Sequence, residues 1–159
     1  MNNKQNKTTV ILLAGALVGT LDILSAFLYY YILTRNNPVR IFPYIASGVF
    51  GKEAFSGSNS MIIAGLLFHY LIAFTFTILF FLLYPFIRNI FKNRVVTGIV
   101  YGIFIWCVMN LIVVPLSNTP PPTWKPVRMM INMIILILAI GLPLSFIANR
   151  FFRSRSDYL

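Results

Sequence analysis

VILLAGALVGTLDILSAFLYYYIL, residues Val10 to Leu33, is the run whose reading decides the fold. At 1.5 Å per residue it is long enough to cross a hydrocarbon core of about 30 Å. Its only charged residue is Asp22, near the middle. Gly15, Gly19, Asp22 and Ala26 follow i, i+4, i+7, i+11 spacing and so share one narrow helix face. Gly15-xxx-Gly19 is the small-residue pattern that admits a neighbouring helix at close range. The acid is therefore expected to face protein, with the remaining spans packed around it.

Three further runs of spanning length follow, at Met61–Tyr84, Val95–Leu116 and Met129–Asn149, and none contains a charged residue. The reading is an all-α four-helix transmembrane bundle, one polytopic domain over residues 1–159 with spans at 10–33, 61–84, 95–116 and 129–149. Composition agrees: 58% of the 159 residues are apolar and 10% charged, and the mean hydropathy is +0.82. A soluble domain of this size carries roughly 25% charged residues. The formal charge of +10 sits between and beyond the apolar runs, which fits anionic lipid rather than nucleic acid.

Lys and Arg also set the expected orientation. With the N-terminus inside, Lys4, Lys7, Arg88, Lys92, Arg94, Arg150, Arg153 and Arg155 are cytoplasmic, against Arg35, Arg40, Lys52, Lys125 and Arg128 outside. Both termini are thus expected in the cytoplasm. The opening MNNKQNKTTV resembles a signal-peptide n-region. The apolar run exceeds an h-region of about 7–15 residues, however, so an uncleaved first span is expected.

Between the first two spans, Ile41, Phe42, Ile45, Val49 and Phe50 recur at helical spacing after the turn Asn36-Asn37-Pro38. They predict a short amphipathic helix, lying on the surface or re-entrant. Gly57-Ser58-Asn59-Ser60 then breaks it and offers an N-cap for the second span. In that span Gly65, His69, Ala73 and Thr77 line one face. The third carries Gly98-xxx-Gly102, a second close-packing pattern, then Trp106, Asn110 and a terminating Pro115. The loop SNTPPPTWKP is stiffened by three prolines and holds Trp124 as an interfacial anchor. In the fourth span, Gly141 and Pro143 predict a kink.

The candidate intramembrane polar site comprises Asp22, His69, Asn110 and Asn132. A charge retained at mid-bilayer costs at least ~2.5 kcal/mol, so it asks for a role or a partner. Helix rise puts the depths of Asp22 and His69 within roughly 6 Å of each other. An Asp–His pair would respond to pH; the plainer alternative is a histidine bonded to a backbone carbonyl or a tyrosine. Asn110 and Asn132 are expected to bond between helices, or else to line a polar cavity. Cys107 is the only cysteine and His69 the only histidine, so no disulfide, clustered metal site or cofactor is expected. The run Ala46-Ser47-Gly48-Val49-Phe50-Gly51-Lys52-Glu53 fails as a phosphate loop at both of its diagnostic ends. With no catalytic triad or carboxylate pair either, an enzyme is not expected.

Thr20-Leu21-Asp22, Ile45-Ala46-Ser47-Gly48, Ala54-Phe55, His69 and Val114-Pro115-Leu116 before the Pro-rich loop resemble a group of small uncharacterised bacterial inner-membrane proteins. More distantly the chain is similar to the YagU-like family. The resemblance implies a bacterial inner membrane and no assigned reaction. Two functions are then expected. The first is a non-enzymatic protein that associates with itself or a membrane partner through the glycine faces Gly15, Gly19 and Gly98, Gly102. The second is a proton-coupled small transporter or channel, dimeric by analogy with small four-span exporters, using Asp22 with His69.

Overall fold

The structure, a computed structural model, describes residues 6–120 and 125–156. The expected anchor Trp124, the Pro121-Pro122 part of the stiff loop and Lys4 lie outside the described residues. Among the described residues every regular element is helical. Four helices are long and apolar enough to cross a membrane: α1 (Lys7–Thr34), α3 (Asn59–Ile90), α4 (Arg94–Leu116) and α5 (Pro126–Arg153). The short α2 (Ile41–Phe50) stands between the first two. The expected all-α four-helix bundle is thus the observed one. Its second and fourth spans run past their apolar limits into basic flanks that include Arg88 and Arg153.

Local chemistry sets the helix ends. Asn6, Ser58 and Asn93 accept from the backbone N–H groups of Thr8, Ser60 and Val95, each satisfying a donor that has no partner within the helix. Arg35 closes α1 in the left-handed conformation, its N–H bonding the Tyr31 carbonyl. Gly51 and Gly57 have φ of +58° and +84°, values that favour glycine at the end of α2 and before the cap of α3.

Both prolines inside the later spans follow π-helical turns. The residues are Val108–Val113 before Pro115 and Ile137–Gly141 before Pro143. A proline ring clashes with the carbonyl four residues back, here Leu111 and Ala139, and both lie within the wider turn. The helices absorb the rings by widening. In α4 the helix continues one residue past Pro115 to Leu116 before it ends.

Packing is uneven along the bundle. The buried core is built from Val10, Ala14 and Val18 of α1, Phe76, Phe80, Phe81 and Tyr84 of α3, Tyr101 and Ile105 of α4, and Ala139, Ile140, Leu144, Ala148 and Phe151 of α5. All of these lie toward the end of the bundle where α1 begins and α5 finishes. In the other half, α1 has no buried residue beyond Ile23, α4 none beyond Ile105 and α5 none before Ala139. The bundle is packed at the end carrying both terminal helix ends and splayed at the other.

The glycine faces explain the tight half. An added Cβ on Gly102 would stand 2.6 Å from the Ile137 Cα, and one on Gly98 2.9 Å from the Gly141 carbonyl oxygen. One on Gly19 would stand 3.0 Å from the Tyr70 ring. Helices α4 and α5 therefore touch backbone to backbone, as packing in lipid requires where no hydrophobic drive between helices exists. Leu12, Leu13, Leu17, Leu24 and Leu28 point outward from α1, the face a bilayer would solvate.

Helix α2 packs on protein. The Phe42 backbone lies on Gly65, the Phe42 ring meets Phe27 edge-on at 5.2 Å, and Phe50 lies 6.1 Å from Phe68. Residues 65–68 are about two turns into α3, so α2 runs alongside that helix about 9–13 Å below its start. At its far end, Asn118 donates its backbone N–H to the Gly48 carbonyl (3.1 Å) and its side-chain amide to the Val49 carbonyl (3.2 Å). These bonds satisfy carbonyls that the end of α2 leaves open.

Candidate functional site

Three contacts join α1 to α3, one at Gly15 and two adjacent ones about a turn further along α1, at Gly19 and Thr20. Phe74 covers Gly15. The Thr20 and Tyr70 hydroxyls share a 2.8 Å hydrogen bond. His69 Nε2 lies 2.8 Å from the Gly19 carbonyl oxygen. A carbonyl only accepts, so Nε2 carries the proton and donates; in the neutral ring Nδ1 is left as an acceptor. Gly19 makes this reach available, since a side chain there would meet Tyr70 and Ala73.

Asp22 lies one turn beyond Gly19 and close enough to His69 for the two side chains to interact electrostatically. No hydrogen bond joins them. His69 itself is buried, on the α3 face shared by Gly65, Ala73 and Thr77, all of them buried or nearly so. The pair stands level with Ile23, where the buried part of α1 stops.

Beyond it the splayed half encloses a partly open cavity of about 950 Å³. It is walled by Tyr29, Tyr30 and Leu33 of α1, by Arg40 and the start of α2, by Asn110 of α4, and by Arg128, Met129 and Asn132 of α5. Tyr29 follows Asp22 by seven residues and shares its face of α1, about 10 Å further along. The Tyr29 hydroxyl is buried and has no hydrogen-bond partner, as is the Trp106 indole N–H. Buried polar atoms are nearly always bonded, so an orphan calls for an explanation.

The four polar residues expected to form one site fall into two places. Asp22 and His69 come together. Asn110 and Asn132 line the cavity instead, and the expected interhelical bonds are absent. The Asn110 amide donates to the Trp106 carbonyl one turn back on its own helix (3.0 Å), and Asn132 is exposed. The α4 and α5 backbones approach at Gly98, Gly102 and Gly141 and diverge beyond, which leaves these asparagines too far into the splayed half to bridge.

Sequence reasoning missed Tyr29, Tyr30, Arg40 and Arg128. Both arginines entered it only as orientation charges. The available signal was that each stands within a turn or two of an apolar run and close to aromatic residues. Among the described residues no group of three His, Cys, Asp or Glu side chains could hold a metal ion.

A fold of four apolar spans around an internal polar pair defines a multi-pass integral membrane protein. Comparison with protein-family models, with curated proteins and with solved structures finds no match.

Proposed function

We propose that the protein is a small proton-coupled transporter or channel that admits a solute through the splayed half of the bundle and uses Asp22 with His69 as its proton-responsive pair. One observation carries this reading: the pair lies at the level where the packed core ends and the cavity half begins. A carboxylate beside a histidine puts two ionisable side chains together within the spans, and intramembrane ionisable groups mark ion and proton paths.

The bacterial inner membrane is the proposed location, in keeping with the resemblance to YagU-like proteins. The excess of basic residues at the packed end supports a cytoplasmic side for that end. The cavity then opens to the outer side. Association with a second copy or a membrane partner through the glycine faces is less well supported. Gly15 and Gly19 are covered by α3, and Gly98 and Gly102 by α5, so an association would need other surfaces.

The test is proton flux into liposomes with a pH-sensitive dye trapped inside. Wild-type protein should carry a flux that Asp22→Asn and His69→Gln abolish. A flux unchanged by Asp22→Asn, or no flux under any gradient, contradicts the proposal.

A further inference from the structure

We propose that the cavity of the splayed half is a binding site for an anionic headgroup, phosphate or carboxylate, attached to an apolar body. The inference rests on the reading of that cavity as the solute's entry and names the class of solute.

Charge comes first. Arg40 and Arg128 both line the cavity. Of the three acidic residues in the chain, the described ones are Asp22, deep in the bundle, and Glu53, which is exposed. Neither forms an ion pair with either arginine. Two guanidinium groups facing one cavity without a carboxylate leave a site of net positive charge, and their planar forks match the oxygens of phosphate or carboxylate.

The neutral polar groups add direction. Tyr29 lines this cavity and its hydroxyl is buried without a partner, and Asn132, one turn after Arg128 on α5, lines it as well. Both can donate to an oxyanion. The rest of the lining includes Leu33, Ile41, Pro43 and Phe55, which suits an apolar body. A volume of about 950 Å³ is at the upper end of the roughly 300–1,000 Å³ typical of small-molecule sites.

Such a headgroup could arrive on a lipid or on a water-soluble molecule, and the experiment separates the two. Purified full-length protein in phosphatidylcholine nanodiscs is titrated with phenyl phosphate, with lysophosphatidic acid and with lysophosphatidylcholine, followed by calorimetry. Saturable binding of phenyl phosphate points to a soluble ligand. Binding of lysophosphatidic acid alone points to a lipid. Either supports the proposal if lysophosphatidylcholine binds at least about ten-fold more weakly.

Arg40→Gln and Arg128→Gln should each weaken binding by about ten-fold, with partial recovery in the lysine variants, and Tyr29→Phe by a few-fold. Arg40 is exposed and Arg128 half-buried, and an unchanged unfolding midpoint confirms folding of each variant. Equal binding of the zwitterionic lipid, no binding of either anion, or full affinity in the glutamine variants overturns the proposal. Anion binding without proton flux would sink the transport reading and leave this one standing; flux without anion binding would do the reverse.

Discussion

Replacing single glycines by alanine tests the packing of the tight half in a graded way. In Gly102→Ala the new Cβ would stand 2.6 Å from the Ile137 Cα and 3.0 Å from the Ile137 backbone nitrogen, against 3.4 Å for an ordinary contact. Backbone cannot rotate aside, so α5 must retreat by about 0.8 Å. Overpacking of this kind costs about 1–3 kcal/mol. Alanine returns up to about 1 kcal/mol through its helix propensity. With that return in full the net loss is about 0–2 kcal/mol, up to a roughly thirty-fold fall in the folding equilibrium constant. Gly141→Ala should cost more, because its Cβ meets the Gly98 carbonyl head-on. Gly15→Ala should cost less, because it meets only the movable Phe74 ring. Gly48→Ala meets nothing closer than 3.6 Å and should be neutral or stabilising by about 0.5–1 kcal/mol. Reversible unfolding in mixed micelles with increasing SDS reads the order. If Gly48→Ala proved as damaging as Gly102→Ala, or Gly141→Ala as harmless as Gly48→Ala, the contact argument would be refuted.

Two smaller perturbations follow from single hydrogen bonds. Tyr101 is buried and donates its hydroxyl to the Phe76 carbonyl, which is also an ordinary helix acceptor. Tyr101→Phe therefore orphans nothing and should lose only about 0.5–1.5 kcal/mol in the same SDS titration; a loss above about 3 kcal/mol would mean another role for the hydroxyl. Asn118→Ala removes the amide bond to the Val49 carbonyl while the backbone bond to Gly48 remains. Hydrogen exchange should quicken in residues 48–55 and stay unchanged in α3, and uniform quickening would contradict the local role given to this loop.

The spans were legible because 18 or more apolar residues in a row have no other stable reading. The α3 face at Gly65, His69, Ala73 and Thr77 was legible because helical spacing alone puts these residues together. The partners of the glycine patterns were not. Gly98 and Gly102 announce a close approach, but only the fold shows that Gly141 and Ile137 make it. Pro115 and Pro143 pointed to irregular turns without showing that both would be π-helical. The cavity escaped for a different reason. It exists where α1, α4 and α5 stop packing, and hydropathy does not distinguish an apolar residue against lipid from one above a void. Arg40 reaches it only because α2 lies against α3, a tertiary contact that no local pattern encodes.

The most direct measurement of the central claim, a bundle sealed at one end and open at the other, is thiol labelling from each side of the membrane. In a Cys107→Ser background, single cysteines at Asn132, Asn110 and Ser145 are exposed to a membrane-impermeant maleimide in sealed right-side-out and inverted vesicles. The splayed-half positions Asn132→Cys and Asn110→Cys should label only from the side opposite the termini. Ser145→Cys, fully buried between α4 and α5, should resist from both. Labelling of Ser145→Cys with protection of Asn110→Cys would contradict the account.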